Sequence, residues 1–85
     1  MEINWEVWEN VPDHADMALA HVASFCNEYN WSFELIWGGE DWVALLSTES
    51  EDGDVVELEG QSETIPPAIR YVIESAKIYY EEGTW

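Results

Sequence analysis

Positive charge is nearly absent from this chain of 85 residues. Lys and Arg together number two against nineteen Asp and Glu, so the formal net charge is −17. Nucleic-acid binding needs Lys and Arg at the phosphates, and an anionic membrane attracts the same sign of charge. The composition therefore predicts no direct nucleic-acid binding and no electrostatic docking on a membrane.

Cysteine and long apolar runs are also scarce. Cys26 is the single cysteine, whereas a secreted domain of this size normally carries several disulfides. No run approaches the roughly 18 consecutive apolar residues of a membrane-spanning helix, and the first six residues lack the basic and apolar regions of a signal peptide. These absences predict a protein of the cytoplasm.

Apolar residues are plentiful despite the charge. They make up 47% of the chain, and six of them are Trp. High net charge is typical of disordered chains, but this apolar content supports a folded core. A chain of this length forms one domain and buries about 60–65% of its unfolded surface. We expect a single domain, with residues 1–11 as an N-terminal strand or arm, 12–80 as the core and 81–85 as a tail.

Two segments have the apolar spacing of amphipathic helices. The first begins near Pro12 and Asp13, with Asp13 as its N-cap, and ends at residues 27–30. The second follows Thr64, a suitable N-cap, has two prolines in its first turn, and ends before Gly83.

The two cations, Arg70 and Lys77, both lie on the second predicted helix. Glu74 follows Arg70 by four residues, and Glu81 follows Lys77 by the same spacing. Side chains four apart on a helix are neighbours. We therefore expect each cation to lie near an acid of its own helix.

The middle of the chain alternates with a period of two residues, which is typical of strands. Segments 31–37, 42–46 and 55–59 are predicted strands, separated by turns at 38–41 and 48–54. On the third strand, Val56 and Leu58 face the core, whereas Glu57 and Glu59 face water. Residues 2–8 are predicted as an extra strand, and the alternative is a flexible arm.

The predicted fold class is α+β. An antiparallel sheet of three or four strands packs with two helices in the order (β)-α-β-β-β-α. Whether the helices share one face of the sheet stays open at this stage. If they do, the other face is solvated and carries Glu34, Glu57 and Glu59.

The run from Trp31 to Ala44 (WSFELIWGGEDWVA) resembles the strand pair of the small phage proteins grouped as the phage ABA sandwich domain. In that family, a W-x-F/V-E hairpin with a Gly turn and a second Trp follows a helix. Residues Glu63–Ile69 (ETIPPAI) resemble the E-T-x-P-x-A-I start of the family's last helix. The resemblance covers roughly residues 12–80. It implies a phage or prophage origin and an α-β-β-β-α core, and it brings no catalytic residues.

Residues with catalytic or metal-binding chemistry are poorly placed for it. His14 and His21 lie about 10 Å apart along the first helix, too far to share one metal ion. Cys26 lies on the apolar stripe without a nearby cation, so we expect a buried, unreactive thiol. A calcium loop with Gly53 at its sixth position would place hydroxyl side chains where acids are required. We predict no enzyme activity, no cofactor and no metal site.

The density of negative charge carries the functional prediction. Seventeen charges correspond to roughly 29 Å of duplex DNA at one charge per about 1.7 Å, and a compact chain of this length is about 30 Å across. Solubility needs a net charge of only about 2–8 in magnitude, although halophilic adaptation would also account for the excess. We predict an acidic phage-type inhibitor that imitates nucleic acid and blocks the basic channel of a host defence protein. A CRISPR effector is the first candidate, before a restriction enzyme or a DNA glycosylase.

The predicted contact residues are ten acids and two exposed aromatic anchors. They are Glu34, Glu40, Asp41, Glu49, Glu51, Asp52, Asp54, Glu57, Glu59, Glu63, Trp5 and Trp8. The three tryptophans in the middle of the chain, Trp31, Trp37 and Trp42, are expected in the core. The expected partner is a basic nucleic-acid-binding protein or nuclease of a bacterial host. The alternative is a phage-encoded protein-interaction module whose partner does not bind nucleic acid. The oligomeric state stays open, a dimer included.

Overall fold

A computed structural model describes residues 3–82 of the chain. These residues form three helices and three strands, in the order α1 (Trp5–Glu9), α2 (Ala15–Tyr29), β1 (Ser32–Trp37), β2 (Trp42–Glu49), β3 (Val55–Ser62) and α3 (Ile65–Glu82). The strands form one antiparallel sheet with β2 in the centre. The predicted α+β class is confirmed, with three strands and with an additional helix at the start.

The N-terminal segment corrects a prediction. Residues 2–8 were predicted as a strand or an arm, but Trp5–Glu9 is a short helix. The indole rings of Trp5 and Trp8 both pack on Phe25, with centroids 5.9 and 5.4 Å away. Residues three apart share a helical face, whereas a strand would turn them to opposite sides. Glu2 lies outside the described residues.

Helix α2 begins later than predicted and ends where predicted. It starts at Ala15 after an extended His14, and no side chain caps it, so the prediction that Asp13 is the N-cap was wrong. Val11, between α1 and α2, is buried in the core cluster. At the other end, Asn30 adopts the left-handed conformation (φ 62°) and its N–H donates to the carbonyl of Cys26. Asn tolerates this conformation better than most residues.

Helix α3 begins at Ile65, directly after Thr64 as predicted, with both prolines in the first turn. It places a continuous apolar stripe in the core, formed by Ala68, Ile69, Val72, Ile73 and Ala76. The residue at which it was predicted to end, Gly83, lies outside the described residues. Within the described part of the chain, no helix has the length and apolar content to cross a membrane.

The cations of α3 pair differently from the prediction. The ammonium group of Lys77 lies 2.7 Å from a carboxylate oxygen of Glu9 on α1. This hydrogen bond is the main cause that raises the pKa of Lys77, and the charge of Glu81 adds to it. Arg70 forms no ion pair with any acid among residues 3–82, and its guanidinium lies 6.0 Å from the ring centroid of Tyr71. The ion pair of Lys77 therefore joins α1 to α3.

Strands β2 and β3 extend further than predicted. Thr48 pairs with Val56 and Glu49 pairs with Val55, so the ladder continues into the segment predicted as a turn. The turn itself is confined to residues 50–54, because the backbone N–H of Ser50 donates to the carbonyl of Asp54 over 2.8 Å. The longer strands give the sheet a span of about 24 Å along β2 at roughly 3.4 Å per residue.

Both long helices cover the same face of the sheet. Val22 of α2, Leu46 of β2 and Ile73 of α3 are fully buried in one apolar cluster. The two long helices therefore share one face of the sheet, which the sequence alone did not determine. The molecule is a two-layer structure in which the other face of the sheet is free of helices among the described residues.

Gly60 brings α3 unusually close to β3. A Cβ atom at this position would lie 2.3 Å from the carbonyl oxygen of Ala68 and 2.4 Å from the backbone nitrogen of Val72. Both are backbone atoms of a helix and cannot move aside as a side chain would. Glycine is therefore required here for the two layers to pack.

Candidate functional site

The candidate site is the face of the sheet turned away from the helices, which we call the open face. Its central row runs from Glu34 on β1 through Leu45 on β2 to Glu59 on β3, each residue paired directly with the next. The open face consists of the outward positions Ser32, Glu34, Ile36, Val43, Leu45, Ser47, Glu49, Val55, Glu57, Glu59 and Gln61. It is thus an apolar centre between two acidic flanks.

Burial on the open face follows this division. The predicted outward residues Glu34, Glu57 and Glu59 are all exposed, as expected for a solvated face. On the central strand, Val43 and Leu45 remain partly accessible because no helix covers them. Neither Lys nor Arg occurs on the three strands or their turns, since both cations lie on α3. The carboxylates therefore have no positively charged neighbour on this side of the sheet.

The β2–β3 turn presents a second group of acids at one end of the sheet. The backbone N–H of Asp54 donates to the hydroxyl of Ser50 over 3.2 Å, and Gly53 supplies the positive φ of 87° that the turn needs. The side chains of Glu51, Asp52 and Asp54 are exposed. A short, hydrogen-bonded turn therefore holds three carboxylates beyond the end of the strands.

A third group of acids lies at the opposite end of the sheet. The β1–β2 turn is closed by Gly38, whose N–H donates to the carbonyl of Asp41 over 2.9 Å. The amide of Gln61 donates to the carboxylate of Asp41 over 2.8 Å, which fixes that side chain against β3. Glu40 is exposed in this turn, and Glu63 is exposed just after the end of β3.

Four of the ten predicted acids lie on the open face, and the other six lie at the two ends of the sheet, where Glu51 lines a cavity together with Tyr29 and Tyr80 of the helix layer. The ten acids follow the sheet from one turn to the other, and apart from the partly buried Asp41 they are exposed. Among residues 3–82, no three His, Cys, Asp or Glu side chains lie close enough together to hold a metal ion. The carboxylates are thus distributed over a surface and are not collected in a pocket.

The prediction that Trp5 and Trp8 are exposed anchors was wrong. Both are partly buried against the core, and the indole N–H of Trp8 donates to the hydroxyl of Tyr29 over 3.3 Å. Trp5 also packs on Tyr80, with ring centroids 5.7 Å apart. These rings cover the ends of α2 and α3, whereas the predicted strand or arm over residues 2–8 left both rings exposed.

Trp37 is the exposed aromatic residue that sequence reasoning placed in the core. Its side chain is 51% exposed and packs on Trp42, with ring centroids 5.1 Å apart. Trp31 is 5% exposed and its indole N–H donates to the hydroxyl of Tyr80 over 2.9 Å, so its predicted burial is confirmed. The signal for Trp37 was the Gly-Gly turn that follows it, because a residue at the last position of an edge strand lies at the limit of the sheet.

Cys26 and the two histidines have structural surroundings. Burial raises the pKa of the Cys26 thiol to about 11, which disfavours the reactive thiolate. Nε2 of His21 lies 2.8 Å from the backbone carbonyl oxygen of Trp8 and links α2 to α1. His14 is exposed at the start of α2. These three residues belong to the helix layer and lie away from the open face.

Comparison with known proteins adds no assignment. No protein-family profile, curated protein or solved structure matches the chain. The chemistry and geometry of the open face are therefore the basis for a proposed function.

Proposed function

We propose that this protein is an acidic inhibitor that imitates nucleic acid and occupies the basic nucleic-acid channel of a host defence protein. A CRISPR effector is the first candidate target. The resemblance of residues 12–80 to the phage ABA sandwich domain supports a phage origin, in which such an inhibitor would protect the phage. The protein itself works in the bacterial cytoplasm and needs no catalytic residue or cofactor for this role.

The observation that carries the proposal is the absence of positive charge from the sheet and its turns. Residues 32–63 contain ten acids and no cation, and they form the sheet and its two turns. One strand of a DNA duplex carries a charge every 3.4 Å, or about seven charges over the roughly 24 Å of β2. The strands themselves carry four acids, Glu34, Glu49, Glu57 and Glu59, and the turns and the residue after β3 add six more at the two ends of the sheet. The sheet therefore approaches the charge density of one nucleic-acid strand only together with its turns.

The overall dimensions agree with this comparison. The molecule measures 35 × 26 × 20 Å, and its radius of gyration is 12.3 Å. Its net charge of −17 amounts to roughly one charge per 2 Å of the longest dimension, close to the value of about 1.7 Å for duplex DNA. A basic channel that accommodates a duplex would attract this molecule strongly at low ionic strength.

Displacement of nucleic acid tests the proposal directly. A panel of purified CRISPR effectors, restriction enzymes and DNA glycosylases is mixed with fluorescent cognate nucleic acid, and the protein is titrated in. We expect loss of nucleic-acid binding on one target. The affinity for that target should fall steeply between 50 and 200 mM salt, since screening weakens exposed charge pairs. An affinity that does not change with salt would contradict the proposal.

Charge reversal locates the effect on the sheet. The triple variant Glu51→Lys, Asp52→Lys and Asp54→Lys should abolish inhibition. It replaces three carboxylates at the end of the sheet with three positive charges, which the basic channel repels. The matched control, with reversals to Lys at Asp13, just before α2, and at Asp16 and Glu28 on α2, makes the same change in net charge in the helix layer. Equal loss in both variants would mean that only net charge matters, and the proposed surface would be wrong. Circular dichroism checks that both variants fold.

A second candidate function is a protein-interaction module whose partner does not bind nucleic acid. The apolar centre of the open face, Val43 and Leu45, favours it, because a phosphate backbone offers no counterpart to these side chains. Affinity purification from a host lysate separates the two candidates. If the captured partner is a nucleic-acid enzyme and competing DNA or RNA releases it, the first candidate is supported. If neither DNA nor RNA releases the partner, the second candidate is supported.

A further inference from the structure

The open face combines two features that one partner element would satisfy together. Its apolar side chains form one patch, in which Ile36, 42% exposed, pairs with Val43, and Leu45 follows on the same side of β2. Its flanks are acidic, with Glu34 on β1 and the pair Glu57 and Glu59 on β3. Charge alone would explain the flanks, but it does not explain apolar side chains left accessible between them.

We propose that the open face is the docking surface for a cationic amphipathic α-helix of the partner protein. The apolar side of that helix lies along β2, on Val43 and Leu45. Its Lys or Arg residues reach to both sides, towards Glu34 on one flank and Glu59 on the other. The inference rests on the proposed function only in requiring a basic partner protein.

The width of the sheet fits one helix. Adjacent strands are about 4.8 Å apart, so the backbones of Glu34 and Glu59 lie roughly 10 Å apart across Leu45. An α-helix with its side chains is about 10–12 Å in diameter. A helix placed over β2 would therefore have one acidic flank on each side, within reach of the long side chains of Lys and Arg.

The length of the open face sets the size of the docked segment. The outward positions of β2 from Val43 to Glu49 span about 20 Å at roughly 3.4 Å per residue. At 1.5 Å per residue, this length corresponds to a helix of about 13 residues. Such a helix would place apolar residues at the i, i+3 and i+4 spacing on Val43 and Leu45, and polar or cationic residues over Ser47 and Glu49.

Charge decides between this occupant and a second copy of the chain. A second copy would bring the same acidic flanks and the same net charge of −17 to the contact, and like charges across an interface are repulsive. A cationic helix instead pairs with the flanks and covers the apolar centre. The electrostatic complement of the open face is thus a basic element of another protein.

The test uses two peptides with the full-length chain. One is an amidated peptide of about 14 residues made of Leu and Lys, with Leu at helical spacing, and the other has the same composition with its Leu positions scrambled. We expect calorimetry to show at least tenfold tighter binding of the helical peptide. Backbone NMR shifts should map its contact to the outward residues of β2, and circular dichroism should show the peptide becoming helical.

Variants of the apolar centre and of the flanks separate packing from charge. The double variant Val43→Thr and Leu45→Thr keeps the net charge and introduces β-branched residues that suit a strand. It should weaken binding of the helical peptide at least tenfold. The flank variant Glu34→Gln and Glu59→Gln should weaken binding of the helical peptide severalfold. In the matched control, Met17→Gln and Ile78→Gln remove two exposed apolar side chains from the helix layer and should leave binding unchanged. If the double variant fails to fold, Ile36→Thr gives the same test at an exposed position.

Three results would overturn the inference. Equal affinity for both peptides would show attraction by charge alone. Shifts confined to the backbone of β1 would show addition of a strand to the sheet edge, and a concentration-dependent dimer that blocks the peptide would show that a second copy occupies the face. These outcomes are independent of the nucleic-acid displacement assay, because a chain that binds the helical peptide can still fail to displace nucleic acid. Failure of the proposed function and failure of this inference are therefore distinguishable.

Discussion

The helix layer and the open face differ in charge and in the contacts that their side chains make. In the helix layer, the rings of Trp5, Trp8, Tyr29 and Trp31 pack around Phe25, and Lys77 of α3 pairs with Glu9 of α1. On the open face, the carboxylates lie in water without a cation beside them. The helix layer makes contacts within the chain, whereas the open face carries charge that nothing in the sheet neutralises. The difference agrees with the proposal, in which stability depends on one side of the sheet and recognition on the other.

Strand β2 connects the two sides because its side chains alternate. Ala44 and Leu46 point into the core and are fully buried, whereas Val43 and Leu45 point to the open face. A strand buried on one face alone normally has polar residues on the other. Two adjacent outward positions of β2 are apolar, and its one outward acid, Glu49, lies at the end of the strand, whereas the outward acids of β1 and β3 flank Leu45.

The largest expected difference between the two sides is the effect of deleting an apolar side chain. Phe25 is fully buried and contacts four other aromatic rings, so Phe25→Ala should lower the free energy of unfolding by about 3–5 kcal/mol. Ile36 is 42% exposed on the open face, and Ile36→Ala should cost about 0.5 kcal/mol. Urea unfolding followed by fluorescence measures both. Similar losses would mean that the open face is also part of the stabilising core.

A smaller effect is expected where the layers meet at Gly60. Gly60→Ala places a methyl group against the backbone of α3 and should destabilise the protein by about 1–3 kcal/mol, because one layer must move away from the other. Gly38→Ala is the matched control, since its nearest backbone atom would be 3.5 Å away, an ordinary contact. We expect the control to be neutral or slightly stabilising. Thermal unfolding compares them, and equal melting temperatures would contradict the close approach of the layers.

The alternation of the central segment predicted the sheet and the side of the acids correctly. The period of two residues placed Glu57 and Glu59 outward and Val56 and Leu58 inward, as the structure has them. The helical spacing likewise located α2 and α3. These elements are long enough for their period to be read locally, which is why the sequence predicted them.

The short N-terminal helix and the exposure of individual tryptophans were not predictable in the same way. Five residues are too few to distinguish helical from strand spacing, and α1 depends on contacts with Phe25 and Tyr80, which are distant in sequence. The exposure of Trp37 had one local signal, the Gly-Gly turn that follows it, but this exposure also depends on where the helices end above the sheet. The set of acids on the sheet followed from composition and alternation, but the apolar centre of the open face needed the register of all three strands.

The smallest expected effect concerns alkaline pH and again falls on the helix layer. Burial raises the pKa of Cys26 from 9.0 to about 11, and burial also raises the pKa values of Tyr79 and Tyr80 above 10.0. A group whose pKa is higher in the folded state contributes stability that is complete below its unfolded pKa and is lost as the pH rises towards its folded pKa. The contribution of the Cys26 thiol is therefore present below pH 9 and is lost between pH 9 and about 11.

Cys26→Ala isolates this contribution. The difference in unfolding free energy between the wild type and this variant should shrink as the pH rises from 7.5 to 10, because only the wild type loses stability through ionisation of the thiol. Val22→Ala, one helical turn earlier in the same layer, removes no titrating group, so its difference from the wild type should stay constant over this range. Denaturation in a reducing buffer at each pH measures both. A constant difference for Cys26→Ala would mean that water reaches the thiol, and the helix layer would then be less tightly closed over the sheet than its packing indicates.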